Sequence, residues 1–163
     1  MSDPVVIVGY DPGWPELYRE EERRILASIG QWVVAIEHIG STAVPGLGAK
    51  PIIDVMVGIR GLAEAPACLE PLLALGYTYH PWAEASLPER RYFDRRGYHL
   101  HMVEVTSDFW TRQLLFRDRL RAEPETARAY CKLKKSLAAR FGTDREGYTE
   151  AKTEFIEGVV RRS

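Results

Sequence analysis

Residues 36–59 read IEHIGSTAVPGLGAKPIIDVMVGI and hold the strongest structural signals in the chain. Residues 32–39 alternate in polarity and are rich in β-branched side chains, which predicts a strand. Residues 40–49 contain three glycines and one proline, so they predict a loop. The nearly continuous apolar run 51–59 predicts a central strand covered on both faces, and its single charged residue is Asp54.

Helix and strand patterns continue on both sides of this stretch. Helical periodicity is found in residues 16–29 and 62–75, and again in the three C-terminal segments 109–121, 124–141 and 145–161. Further strands are predicted at 5–9, 77–82, 90–94 and 98–105, the last two forming a hairpin. Together these elements predict an α/β (α+β) fold, with a mixed β-sheet and a C-terminal layer of helices.

Length and composition predict one globular domain spanning residues 1–163. Hydrophobic residues make up 45% and charged residues 28%, which argues against a disordered chain. The apolar runs are too short to cross a bilayer, and no secretion signal is visible, so we expect a cytoplasmic protein without a membrane partner. Two cysteines in helical patterns are typical of buried thiols in a reducing compartment.

The charge distribution leaves two interpretations open. The segment from Trp110 onward is basic and the preceding part is acidic, although the net charge is only −1. This asymmetry suits a cleft for an anionic ligand, and equally suits helix surfaces made soluble by Lys and Arg. Nucleic acid is not an expected partner because no aromatic stacking motif accompanies the hairpin arginines, which are predicted to be exposed. They are Arg90, Arg91, Arg95 and Arg96.

The pair Gly40-Ser41, directly after a predicted strand, favours a phosphate site. Glycine allows close approach, so backbone N–H groups and the Ser41 hydroxyl can face a phosphate. Asp54 on the neighbouring strand could then hold a divalent cation beside the phosphates. The alternative is a structural Asp54 that accepts hydrogen bonds from loop amides.

His99 and His101 alternate on one predicted strand, so both side chains lie on the same face. If Asp54 lies on that face, the three residues form a transition-metal or acid–base site. The alternative is that the histidines form hydrogen bonds across the sheet or flank an open edge. Residue types and spacing leave both interpretations open.

Lys134 and Lys152 lie within the apolar stripes of two predicted C-terminal helices. A lysine that faces the sheet could reach a phosphate in the cleft. The alternative is snorkelling, in which the ammonium reaches solvent past buried methylenes, and the sequence favours it for Lys134. Arg117 also lies in an apolar stripe, where it could bind the ligand or pair with a carboxylate.

Four segments resemble the GrpB family, which is placed in the DNA-polymerase-β-like nucleotidyltransferase superfamily. They are the run 38–54, the His99-Leu100-His101 strand, the 115–118 segment LFRD and the 148–155 segment YTEAKTEF. The resemblance covers nearly the whole chain and implies a nucleotidyltransferase-like fold. Because Lys152 lies in one of these segments, the resemblance favours a functional role for it.

In that superfamily a Gly-Ser motif precedes a strand with two alternating carboxylates, and a third follows on a later strand. Gly40-Ser41 and Asp54 match this pattern, but the second carboxylate position is Met56. The resemblance implies binding of a nucleotide or phosphorylated metabolite with a divalent metal, and transfer of a nucleotidyl group if the rearranged site is active. Substituting Met56 by Asp is expected to raise metal affinity.

A second hypothesis is a non-catalytic binding or folding-assistance module. GrpB-like segments occur fused to dephospho-CoA kinase, which implies that enzyme as a partner in coenzyme A synthesis. Under the first hypothesis the metal is magnesium or manganese, or a transition metal. The expected site residues are Asp54 and Ser41 for catalysis; Gly40, Ser41, Thr42, Lys50, Lys152 and Arg117 for the substrate; and Asp54, His99 and His101 for the metal.

Overall fold

The computed structural model describes residues 6–161 and contains one mixed five-stranded sheet. The strands are β1 (Val33–Ile39), β2 (Ile53–Ile59), β3 (Thr78–Tyr79), β4 (Arg90–Arg95) and β5 (Tyr98–Glu104). Their order in the sheet is β1-β2-β5-β4-β3. β2 and β5 run parallel, whereas the pairs β1–β2, β4–β5 and β3–β4 are antiparallel.

Five α-helices surround this sheet: α1 (Trp14–Ile29), α2 (Ala65–Ala74), α3 (Asp108–Ala122), α4 (Pro124–Phe141) and α5 (Arg145–Arg161). Their ends follow local chemistry. The Ser107 side chain accepts a hydrogen bond from the Trp110 amide at 3.2 Å and so caps α3. Pro124 begins α4, where a missing N–H costs nothing, and Gly142 ends it at a φ of 56°.

One face of the sheet forms the main hydrophobic core. Val55 and Val57 of β2 share this face with Leu100 and Met102 of β5, and all four are fully buried. They pack against the apolar sides of α1 and α2. The helical residues in this cluster include Ile25, Ile29, Cys68 and Leu72.

The opposite face is divided between apolar packing and polar groups. Towards the carboxyl ends of β2 and β5, Met56 and Val103 pack with Ile39 against α3. Trp110 approaches so closely that a Cβ added at Gly58 would lie 2.8 Å from its ring. A second cluster joins the loop after β1 to the last three helices, through Val44, Leu47, Phe116, Leu120, Tyr130 and Val159. Asp54 lies on the same face, at the amino end of β2.

The predicted mixed sheet with a C-terminal helical layer is confirmed, but two predicted strands are not. Residues 77–82 form only the two-residue β3, because Pro81 cannot donate to a ladder and starts a 3-10 turn, Pro81–Ala85. In the predicted strand 5–9, Val8 makes an isolated bridge to Ala49, while Val5 lies outside the described residues. Within 6–161 no helix has the length and apolarity needed to cross a membrane.

Candidate functional site

Asp54 lies at the start of β2 and packs directly on the turn that follows β1. A Cβ built on Gly40 would lie 2.5 Å from Asp54 Oδ2, so a side chain at position 40 would collide with the carboxylate. Gly40 also has a φ of 77°, which favours glycine. The Gly-Ser turn therefore places the backbone of Gly40 against the Asp54 carboxylate.

The structure brings Asp54 together with both predicted histidines. Residue 54 is in register with His99, and Met56 is in register with His101, so the three polar side chains share one face of the sheet. His101 Nε2 is 3.0 Å from Asp54 Oδ1, and His99 Nδ1 is 3.6 Å from the same oxygen. The result is one carboxylate held between two imidazoles.

Arg90 fixes the hydrogen-bonding role of His101. Its Nη1 lies 3.4 Å from His101 Nδ1, and because a guanidinium only donates, Nδ1 accepts. With Nδ1 accepting, Nε2 is the nitrogen that donates to Asp54 Oδ1, at 3.0 Å. The prediction of an exposed Arg90 is wrong, since its guanidinium is partly buried over the rings of Tyr92 and Phe109. Arg95 also departs from that prediction, because it pairs with the buried Glu21.

The surroundings of Asp54 favour its ionised form. Burial opposes ionisation, but the hydrogen bond from His101 and electrostatic attraction by Lys152, and by His101 and His99 whenever these rings are protonated, outweigh it, so the pKa of Asp54 is lowered. Burial lowers the pKa of His99, despite the opposing attraction of Asp54. The site thus contains a fixed negative charge beside a largely neutral His99 at pH 7.

Three lysines lie near the tyrosines of α4 and α5, and one of them was misjudged from the sequence. Lys134 does not snorkel: it is 2% exposed, and its Nζ donates to the Gly48 carbonyl at 2.7 Å. That prediction was wrong because the loop before β2 covers this part of α4. Lys50 and Lys152 place their ammonium groups 5.6 and 5.1 Å from the ring centre of Tyr148.

The lysines depress one another's pKa values. Burial and then the charge of Lys50 lower the pKa of Lys152 to about 8, although Asp54 attracts it. Burial and the charges of Lys152 and Lys50 lower the pKa of Lys134 to about 7. Within residues 6–161, no carboxylate forms an ion pair with Lys134 or Lys152. We refer to Lys50, Lys134 and Lys152 as the lysine cluster.

Ser41 forms a hydrogen bond with Tyr130 of α4. Burial raises the pKa of the Tyr130 hydroxyl strongly, the charge of Asp54 adds to this effect, and a hydrogen bond with Ser41 opposes it. Tyr130 also lies under Lys134, whose Nζ is 4.9 Å from the ring centre. Of the residues assigned to substrate binding from the sequence, Gly40 packs on Asp54 and Lys152 attracts it, while Lys50 acts on Lys152 and Ser41 bonds Tyr130.

Two residues assigned to substrate binding do not present their side chains to this group. Thr42 is 2% exposed, and its hydroxyl donates to the Ile52 carbonyl and lies 3.0 Å from His38 Nε2. Arg117 is bound by Glu37 at 2.6 Å, by Asp118 at 2.9 Å and by the His38 carbonyl. Both side chains have internal partners, so they hold the loop and β1 in place.

Met56, at the second carboxylate position of the superfamily pattern, is fully buried under α3. It packs with Ile39 and Val103 against Trp110 and Leu114, so this position faces an apolar cluster. Within the described chain, no group of three His, Cys, Asp or Glu side chains is placed to hold a metal ion. His101 Nε2 and Asp54 Oδ1 are instead paired with each other at 3.0 Å. These residues do not fit a two-metal clamp.

Comparisons with known proteins all point to one family. The GrpB protein family model matches residues 4–162. The UPF0157 protein YqkA of Bacillus subtilis (strain 168) is 40% identical over 157 residues, which cover 94% of this chain and 45% of that protein. A dephospho-CoA kinase of Mycolicibacterium paratuberculosis is 30% identical over 187 residues, covering 98% of this chain and 46% of the kinase. The chain thus spans less than half the length of both relatives.

Solved structures agree with the sequence comparisons. The crystal structure of the conserved protein GrpB from Enterococcus faecalis superposes with a TM-score of 0.85 at 29% identity, covering 96% of this chain and 98% of that one. Terminal uridylyl transferase 4 from Trypanosoma brucei, solved with bound CTP, gives a TM-score of 0.50 at 14% identity. That match covers 99% of this chain and 52% of the transferase, and it establishes similarity to the nucleotidyltransferase fold.

Proposed function

The chain belongs to the GrpB family, and we propose that it binds the phosphate groups of a nucleotide or another phosphorylated metabolite between the lysine cluster and the Gly40-Ser41 turn. The observation that carries this proposal is that Lys134 is buried and Lys152 is half-buried, and neither has an ion-pair partner among the described residues. The Gly-Ser turn and the nucleotidyltransferase-like fold indicate that the anion to test at the lysine cluster is a phosphate group.

The physical argument rests on the cost of uncompensated charge. Placing an ammonium group in a buried site is unfavourable, and mutual repulsion within the lysine cluster increases the cost. A phosphate ligand would reverse both effects, because its negative charge favours the protonated form of each lysine. Binding should therefore be accompanied by proton uptake, since the pKa values of Lys134 and Lys152 lie near neutrality in the free protein.

Asp54 fits a single divalent cation that arrives with the phosphates. Magnesium is commonly held by one or two carboxylates together with phosphate oxygens, and manganese has similar ligand preferences. Asp54 is ionised and 24% exposed, so it would provide the protein ligand for one such ion. The cation would neutralise part of the phosphate charge.

The burial of Met56 favours binding over two-metal nucleotidyl transfer, because the second carboxylate position has no access to the site. A second candidate function is a binding or folding-assistance module for dephospho-CoA kinase. It is favoured by the match of nearly the whole chain to part of a protein with that name. Dephospho-CoA therefore belongs in the ligand panel beside nucleoside triphosphates.

Isothermal titration calorimetry with ATP, dephospho-CoA and inorganic tripolyphosphate, each with and without magnesium, tests the proposal. Lys152→Met keeps the length and burial of the side chain but removes its charge, so it should weaken binding of every phosphate ligand at least about 10-fold. The matched control is Lys135→Met on the exposed side of α4, which should leave binding unchanged.

Two results would contradict phosphate binding at the lysine cluster. One is the absence of heat with every ligand in the wild-type protein. The other is equal loss of affinity in the Lys152 and Lys135 variants, which would indicate attraction by net charge alone. Repeating the ATP titration in buffers of different ionisation enthalpy measures the proton uptake expected from the lysines.

A further inference from the structure

A row of aromatic rings crosses the sheet face next to Asp54. Tyr92 of β4 is at its centre, 5.6 Å from His99 and 5.5 Å from His101 between ring centres. The row continues from Tyr92 to His80 at 5.5 Å and from His80 to Trp82 at 5.7 Å. We call Tyr92, His80 and Trp82 the aromatic row.

Exposure increases along this row with distance from Asp54. The His80 side chain is 23% exposed, whereas Trp82 is 70% exposed and has the highest exposure of any large hydrophobic residue in the described chain. An indole this exposed gains little from folding, although its Nε1 is oriented by His80 Nδ1 at 3.3 Å. Exposed aromatic rings with an oriented polar tip are common where a flat ligand binds.

The aromatic row is continuous with the proposed phosphate site. Strand register aligns Asp54 of β2 with His99 of β5 and with Asp94 of β4. Two strand spacings correspond to about 10 Å, so Asp54 and the start of the aromatic row lie within the reach of one extended ligand. The charge of Lys50 also acts on His99, which places this histidine at the junction of the two regions.

Resting on the proposed function, we propose that the aromatic row binds the nucleobase of a nucleotide whose phosphates occupy the lysine cluster. A base has an aromatic face that stacks on Tyr, His and Trp rings. Asp94 lies at the edge of the row, and its side chain is 39% exposed. Its Oδ1 is 2.7 Å from His80 Nε2. Its carboxylate can accept only, which favours a base that presents ring or exocyclic N–H donors at its edge.

A sugar phosphate or an inorganic polyphosphate would satisfy the lysines alone and would leave the rings unused. The row therefore changes the expected ligand class from any phosphorylated metabolite to a base-containing one. It also predicts that affinity depends on the base as well as on the number of phosphates.

The experiment compares ATP, GTP, CTP and UTP with inorganic tripolyphosphate by calorimetry, in the wild-type protein and in Trp82 variants. The wild type should bind the best nucleoside triphosphate roughly 10-fold or more tightly than tripolyphosphate, in line with the contribution of a stacked base. Trp82→Ala should remove most of that difference and leave tripolyphosphate affinity as it was. Trp82→Phe, which keeps a ring, should restore part of it.

Leu73→Ala on α2 is the matched control, because it removes another exposed apolar side chain far from this face. It should change neither affinity. Equal binding of nucleotides and tripolyphosphate, unaffected by Trp82→Ala, would overturn the base site and leave the phosphate site intact. Failure of every ligand to bind would overturn both proposals.

Discussion

Replacing Met56 by Asp tests whether the second carboxylate position of the superfamily can be restored in this chain. Met56 is fully buried among Ile39, Val103 and the α3 side chains Trp110 and Leu114. Removing a buried methionine side chain costs about 2–5 kcal/mol, and a buried unpaired carboxylate adds roughly 1–3 kcal/mol or more. We therefore expect Met56→Asp to destabilise the protein by at least about 3 kcal/mol, a large fraction of a typical domain's stability.

Urea denaturation followed by tryptophan fluorescence measures this loss, with Met56→Leu as the control. Leucine has a similar volume and no charge, so Met56→Leu should cost less than about 1.5 kcal/mol. Burial and the neighbouring Asp54 should raise the pKa of the introduced carboxyl group. A group with a raised pKa in the folded state binds more protons there, so the deficit should grow as the pH rises from 5 to 8.

The opposite result would refute this reasoning. If Met56→Asp is as stable as the wild type and binds magnesium more tightly, the α3 cluster opens readily and position 56 reaches the site. The expectation from the superfamily pattern, a gain in metal affinity, would then hold. Calorimetric titration with magnesium, with and without ATP, decides between the two outcomes.

Three further variants probe the site. Gly40→Ala should destabilise the protein by about 1 kcal/mol or more in urea denaturation, because position 40 has a positive φ and the new Cβ would displace the Asp54 carboxylate. Unchanged stability together with unchanged ATP binding would contradict the packing of Gly40 on Asp54. Asp54→Asn should leave the fold intact and abolish the magnesium dependence of ATP binding in calorimetry, whereas a loss of stability without a ligand effect would indicate a purely structural aspartate. Because the folded-state pKa of Lys134 is lowered to about 7, the unfolded chain binds more protons above that pH, and stability should rise between pH 7 and 9. Lys134→Met should flatten this rise in thermal denaturation, and an identical pH profile would show that Lys134 is not the group responsible.

The sequence alone determined most of the secondary structure. The run 51–59 is almost entirely apolar, which predicted a strand covered on both faces, and β2 (Ile53–Ile59) is an interior strand paired with β1 and β5. Pro124 and Gly142 marked the ends of α4 because proline and glycine have local effects that tertiary contacts rarely override. The two-residue period of a strand also placed His99 and His101 on one face.

Tertiary structure decided what those side chains contact. Sequence spacing shows that Lys134 lies in an apolar stripe, but only the position of the Gly48 loop determines that its ammonium is buried. Thr42 follows the Gly-Ser turn directly, yet the backbone rotates its hydroxyl toward Ile52 and His38 on the other side of the loop. Arg90 was expected in solvent, but strand order places it over Tyr92 and Phe109.

The same distinction applies to the candidate site as a whole. Local sequence fixes backbone conformation, because φ and ψ preferences and side-chain periodicity depend on near neighbours. The charge environment of Asp54 depends instead on a parallel strand 45 residues away and on a helix near the end of the chain. Coulomb interactions act through space, so the grouping of Asp54, His101 and Lys152 exists only once β2, β5 and α5 have come together.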